Sequence, residues 1–144
     1  MFRADCSHEP FVIQQVQGHL SDADLEAVEE YMRTTVGKTV YAIIDCRGAE
    51  RPDSTGRARL AELMKRYAGG GTGVSALVFS NKVVAGAMTA LRWIVPSTNP
   101  ESYVSSAAEG LQFLEAHALK KGLVIPADFR RRVLLLDSAA RSSA

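Results

Sequence analysis

Residues 53–59, Asp53-Ser54-Thr55-Gly56-Arg57-Ala58-Arg59, bring a carboxylate, two hydroxyls, a glycine and two guanidinium groups into one short stretch. An aspartate or serine ahead of a helical run accepts hydrogen bonds from the first free amides. The plainest role for Asp53 or Ser54 is therefore a helix cap, with Gly56 permitting tight packing. A serine hydroxyl in the same place has a second use. A phosphate carried there gains from unpaired amides and the positive end of the helix dipole, and Arg57 or Arg59 is near enough in the chain to reach it. If a partner protein packs on that spot, the same added charge drives it off by repulsion and desolvation. Thr55 offers a reserve hydroxyl. Cap and switch both stand on these residues.

Other groups suggest less. Ile43-Ile44-Asp45-Cys46-Arg47 resembles the strand-end Asp-x-Arg of rhodanese-like sulfurtransferases. Those enzymes need a nucleophilic cysteine in a loop of amide donors, and neither Cys6 nor Cys46 lies in such a loop; Cys46 reads as a half-buried packing residue. Ala68 to Gly73 is rich in glycine, but it follows a helix and precedes a strand, the reverse of a phosphate loop, so it reads as a connector. His8, His19 and His117 lack helical pairing or a carboxylate-histidine motif, so no metal site is expected. No Gly-x-Ser-x-Gly elbow marks a hydrolase. Trp93 and Tyr31 read as buried rings, with Trp93 beside Arg92 as an alternative surface for a partner. The Arg130-Arg131-Arg132 run is too short to imply nucleic acid.

The whole-chain numbers narrow the classes further. The 144 residues suit one domain, 47% of them are hydrophobic and 23% charged, and 17 basic residues against 16 acidic ones leave a formal charge of +1. That balance provides no long-range field for gathering nucleic acid or an anionic membrane. No apolar run reaches the roughly 20 residues needed to cross a bilayer. Met1 to Cys6 lacks the apolar core of a secretory signal. Two cysteines are too few for a disulfide framework, and the expected compartment is the cytoplasm.

The elements that must position residues 53–59 can be read from periodicity. Phe11–Gln17 reads as a strand, with Phe2–Cys6 pairing to it across a turn at Ser7 to Pro10. Ser21 can accept from the amide of residue 24, and Leu25, Val28 and Met32 then recur at helical spacing up to Gly37. Thr39–Asp45 is an apolar run suited to a strand covered on both faces. A second helix starts near Ser54, with Leu60, Leu63, Met64 and Tyr67 on one side. Val74–Ser80 is the next strand. Val84, Ala87, Met88, Leu91 and Val95 line a third helix that Pro96 stops. Ser102–Ser105 is a short strand, and Ser106 with Glu109 forms a capping-box pattern ahead of Leu111, Leu114 and Ala118. The order is β-β-α-β-α-β-α-β-α plus a tail. It predicts an α/β fold with a mostly parallel central sheet and helices packed on it. Residues 1–118 form the expected domain. Residues 119–144 are an extension, partly disordered or docking, and Val133–Leu136 could pair with a second chain in a homodimer.

This order, together with Asp53-Ser54-Thr55-Gly56, resembles the STAS domain of bacterial anti-sigma factor antagonists. The likeness also takes in Gly18-His19-Leu20-Ser21-Asp22, where the family often has Gly-x-Leu-Asp, and it spans about residues 2–118. It departs at Ala49-Glu50-Arg51-Pro52, where the family is usually apolar, and at Arg57 and Arg59, where it is usually small or aliphatic. The resemblance implies a non-enzymatic regulatory module that binds an anti-sigma factor or serine kinase through Asp53, Ser54, Thr55, Gly56, Arg57 and Arg59. It makes Ser54 the phosphoacceptor and implies no cofactor. Two other classes stay open: a ligand- or lipid-binding domain of the same topology, with a pocket near Ala87, Leu91 and Trp93, and an enzyme.

Overall fold

The computed structural model describes residues 1–67 and 71–143, apart from the side chain of Trp93. Residues 68–70 of the expected connector at Ala68 to Gly73 and the placing of the Trp93 ring lie outside the described residues. Five strands form one sheet in the order β1-β2-β3-β4-β5. They are β1 (Phe2–His8), β2 (Phe11–Gly18), β3 (Thr39–Ala49), β4 (Thr72–Val78) and β5 (Glu101–Val104). β1 runs antiparallel to β2, pairing Arg3 with Gln15, and every later pairing is parallel. The α/β fold with a mostly parallel sheet is thus as the periodicity predicts.

Three helices make the crossovers between parallel neighbours: α1 (Asp22–Thr35), α2 (Ser54–Arg66) and α3 (Lys82–Ile94). Because each crossover steps one strand in the same direction, a constant handedness puts all three on one face. α4 (Ala107–Leu119) and α5 (Ala127–Ser142) cover the other. Side chains alternate across a strand, so Phe11, Ile13, Tyr41, Ile43, Val74 and Ala76 meet α4 and α5. The intervening residues Val12, Val40 and Ala42 point toward α1–α3. Gly110 lets α4 settle closely, since a Cβ there would stand 3.0 Å from Ile43 Cδ1 and 3.1 Å from Ala76 Cβ.

Local chemistry sets the helix ends. Ser21 and Asp24 form a reciprocal capping box: the Asp24 amide donates to Ser21 Oγ at 3.2 Å, and the Ser21 amide donates to Asp24 Oδ2 at 2.9 Å. Asp24 also accepts from the Phe2 amide at 3.0 Å, tying β1 to the helix. Ser106 accepts from the Glu109 amide at 3.2 Å, but the Glu109 carboxylate takes a bond from Ser105 Oγ instead of closing the box.

Three expectations change. β3 runs on to Ala49, past the expected end at Asp45, because Gln17 and Gly18 of β2 stay in register with Gly48 and Ala49 beyond a bulge. Thr72 and Gly73, expected in a connector, belong to β4, where Gly73 lies so close to Val40 that a Cβ would stand 2.0 Å from its carbonyl oxygen. The tail folds into α5, with Phe129 and Val133 in the main core at 1% and 0% exposure. Val133–Leu136 is therefore helical and Val133 is already covered, which removes it as a pairing strand.

Candidate functional site

The chain leaves the sheet at Ala49, and the Glu50 amide still donates to the Gly18 carbonyl at 3.0 Å. Pro52 is half-buried, and Asp53 then caps α2: its Oδ1 accepts from the Gly56 amide at 2.7 Å, while its carbonyl accepts from the Arg57 amide at 2.9 Å. A Cβ at Gly56 would stand 3.3 Å from that Oδ1 and 3.5 Å from Pro52 Cβ, so the missing side chain makes room for the cap itself.

Ser54 is the first residue of the helix, and both it and Thr55 are exposed. Among the described residues, neither hydroxyl makes a hydrogen bond. Of the two cations expected to attend them, Arg59 is paired with Asp22 of α1. Arg57 has no ion-pair partner among the described residues. The structure thus brings Asp53, Ser54, Thr55, Gly56 and Arg57 together on the first turn and directs the Arg59 guanidinium to α1.

The neighbouring Asp45-Cys46-Arg47 lies inside β3. Arg47 forks onto Asp45, with Nε donating to Oδ1 and Nη2 to Oδ2, both at 2.9 Å. Its Nη1 donates to Asp137 Oδ1 of α5 at 2.7 Å. Asp137 also accepts from the first amides of α4, Ala107 at 2.8 Å and Ala108 at 3.0 Å. A side chain from α5 therefore fills the helix end beside the crossover loop. Sequence reading missed Asp137; its only sign was one carboxylate closing the apolar run Leu134-Leu135-Leu136. Cys46 is buried, and burial followed by the nearby Asp45 charge pushes its thiol up to about 12. Such a thiol supplies no thiolate at neutral pH, which argues against sulfur transfer there.

The histidines are dispersed. His8 faces Asp128 at 3.0 Å, His117 packs on the Phe113 ring, and His19 is exposed. No group of three or more His, Cys, Asp or Glu among the described residues is arranged to hold a metal ion. No helix among the described residues is long and apolar enough to cross a membrane. Of the residues near which a pocket was expected, Ala87 and Leu91 are buried, and the Trp93 side chain lies outside the described residues. An open groove lies at the carboxyl end of α3, beside Arg92 and Val95 and reaching Met32 and Met64.

No protein-family model matches the chain, and no curated protein sequence matches it. Solved structures do. An uncharacterized protein from Shewanella loihica PV-4 with a SpoIIAA-like fold superposes with a TM-score of 0.58 at 13% identity, covering 79% of this chain and 92% of that one. The anti-sigma factor antagonist SpoIIAA in its unphosphorylated form gives 0.50 at 14% identity, covering 78% and 96%. The fold is SpoIIAA-like. An anti-sigma factor antagonist from Mycobacterium paratuberculosis is a further neighbour, with a TM-score of 0.48 at 16% identity over 78% of this chain and 91% of that one. The SpoIIAA-like fold accounts for the mixed sheet with its single antiparallel edge strand and for the crossover that presents α2 after β3.

Proposed function

We propose that this chain is a non-enzymatic regulatory module that binds an anti-sigma factor or serine kinase through the first turn of α2. Ser54 is its phosphoacceptor, with Thr55 in reserve. One observation carries the reading: the Ser54 hydroxyl stands exposed, with no hydrogen bond among the described residues, at the start of a helix just beyond the strand that leads into it. Asp53 shapes that turn by its cap, and Gly56 lets the cap close. Similarity to an anti-sigma factor antagonist in its unphosphorylated form adds support at the level of fold.

The physical consequence of modification is large and local. A phosphate on Ser54 adds about −1.5 to −2 charge at neutral pH beside the positive end of the α2 dipole. Of the two arginines on the helix start, Arg57 is the one without an ion-pair partner among the described residues, because Arg59 is held by Asp22. A partner with acidic or apolar groups against this turn would be expelled.

The test uses the anti-sigma factors and serine kinases of the source organism. Incubation with ATP should place phosphate on Ser54, read by peptide mass spectrometry, and Ser54→Asp should weaken partner binding while Ser54→Ala preserves it. Binding that is indifferent to both substitutions, with Ser54 left unmodified by every kinase, removes the proposal.

A further inference from the structure

Because α2 follows β3 and α3 follows the adjacent parallel strand β4, the two helices start side by side at the carboxyl end of the sheet. Ser80, in the entry to α3, donates from Oγ to the Arg47 carbonyl at 3.4 Å, which ties that entry to the strand leading toward Ser54. Each start carries its own cap. Asp53 serves the Gly56 amide in α2, and Asn81 Oδ1 accepts from the Val83 amide at 2.8 Å in α3. With those amides met locally, the character of this surface is set by its side chains.

Those side chains are cationic. Successive residues turn about 100° around a helix, so Arg57 lies about 200° from Arg59. Arg59 pairs with Asp22 of α1 on one flank of α2, which puts Arg57 on the flank toward α3. There α3 opens with the exposed Lys82, and the exposed Arg51 stands in the loop before Asp53. None of Arg51, Arg57 and Lys82 has an ion-pair partner among the described residues. Farther along α1 and α2 the arginines are matched, Arg33 by Glu29 and Glu30 and Arg66 by Glu29 and Glu62. Of the nearby carboxylates, Asp53 is committed to its cap, and Glu50 leaves the sheet on the β2 side, where its amide donates to Gly18. Like charge gathered at the positive ends of two helices is unfavourable in the free chain, and an anionic visitor relieves it. An apolar spot lies in the same surface. Val83 is 56% exposed, and Gly86, about one turn on, has nothing within 4 Å of where a Cβ would stand.

We propose that this surface, from Arg51 and the Ser54 turn to the first turn of α3, receives an acidic protein segment. Its carboxylates meet Lys82, Arg57 and Arg51, and one apolar side chain settles on Val83 beside Gly86. The segment belongs to the partner read for the Ser54 turn, so this site rests on that reading. A phosphate on Ser54 takes up the same cations and removes the attraction that recruits the segment. Nucleic acid fits less well, because three cations beside an exposed valine give few phosphate contacts.

The probe is a synthetic peptide of glutamates interrupted by two leucines, set against the same peptide with lysines in place of glutamates and against a short DNA duplex. Titrated into the isotope-labelled full chain, the acidic peptide should give saturable NMR shifts centred on the amides of Ser54, Arg57, Lys82 and Val83. Arg51→Glu, Lys82→Glu and Val83→Asp should each weaken binding about fivefold, while Lys120→Glu at the end of α4 leaves it unchanged. Raising salt from about 0.05 to about 0.5 M should weaken it about tenfold. Ser54→Asp should weaken it as well. Shifts centred elsewhere, equal affinity for the lysine peptide, or a Lys82→Glu chain that binds as well as Lys120→Glu overturns the acidic surface and leaves Ser54 phosphorylation to its own kinase assay. Tighter binding of the duplex at the same amides overturns the protein class. Peptide binding that follows the cations while no kinase modifies Ser54 upholds the surface and removes the switch.

Discussion

Arg47 and Asp137 stand 90 residues apart in the chain, yet the guanidinium donates to the carboxylate at 2.7 Å. Each side chain is only 12% exposed, so the pair is largely shielded from water. Through it, α5 is joined to β3, and through the Ala107 and Ala108 amides it also closes the start of α4. One carboxylate thus serves as counter-ion and helix cap at once, close to the strand end from which the Ser54 turn departs.

Removing that carboxylate should cost about 3 kcal/mol, because Asp137→Ala leaves two α4 amides and one face of a shielded guanidinium without their partner. Asp137→Asn, which can still accept from an amide, should recover part of the loss. Urea unfolding of the two variants beside the parent chain measures both. A parent-like midpoint for Asp137→Ala would show that the pair contributes little.

The same residue sets an acid limit. Burial pushes the Asp137 carboxyl up, but the Ala107 and Ala108 amides and Arg47 together outweigh it and hold the group below its ordinary 3.8. A folded-state pKa below the unfolded one means the stabilisation is fully present above about pH 4 and fades as pH falls through the folded value. Asp24 works in the same sense: its carboxyl is lowered chiefly by the Ser21 amide and hydroxyl. The urea midpoint should therefore drop as pH is taken below 3.8, with a shallower drop in Asp137→Asn.

The two thiols should separate cleanly on alkylation. Cys6 is exposed and Cys46 is buried, with burial taking the Cys46 thiol to about 12. Burial also raises the Cys6 thiol, though without closing it off from solvent. Iodoacetamide near pH 8 should label Cys6 in the native protein and Cys46 only after denaturation. Peptide mass spectrometry over a time course reads the result, and rapid native labelling of Cys46 would contradict its packing.

α5 should prove integral to stability. Phe129→Ala removes a ring packed on Phe11 with centroids 5.5 Å apart and should cost about 3–5 kcal/mol. Leu135→Ala, on the half-exposed outer side, should change stability by about 0.5 kcal/mol or less. A chain ended at residue 118 should lose its cooperative thermal transition in calorimetry, since Ile125, Phe129 and Val133 would be missing from the core.

Much of this architecture is written locally. Ser21 and Asp53 announce helix starts because a short polar side chain before an apolar run satisfies free amides wherever the run later packs. The spacing of Val84, Ala87, Leu91 and Val95 marks a buried helical face for the same kind of reason, and all four are buried. β3 was legible only as far as Asp45, because the polar and small residues of Cys46-Arg47-Gly48-Ala49 carry no strand pattern of their own. Pairing with Gln17 and Gly18 keeps them in the sheet.

The sequence by itself determined the order of elements as far as α4, the caps at Ser21 and Ser106 and the position of Ser54 at the head of a helix, since each depends on neighbours within a few residues. Tertiary structure decided the rest: that the tail folds into α5, that Arg59 turns to Asp22, and that Asp137 reaches Arg47. Those relationships join residues tens of positions apart, and strand register and helix placement alone bring them within reach.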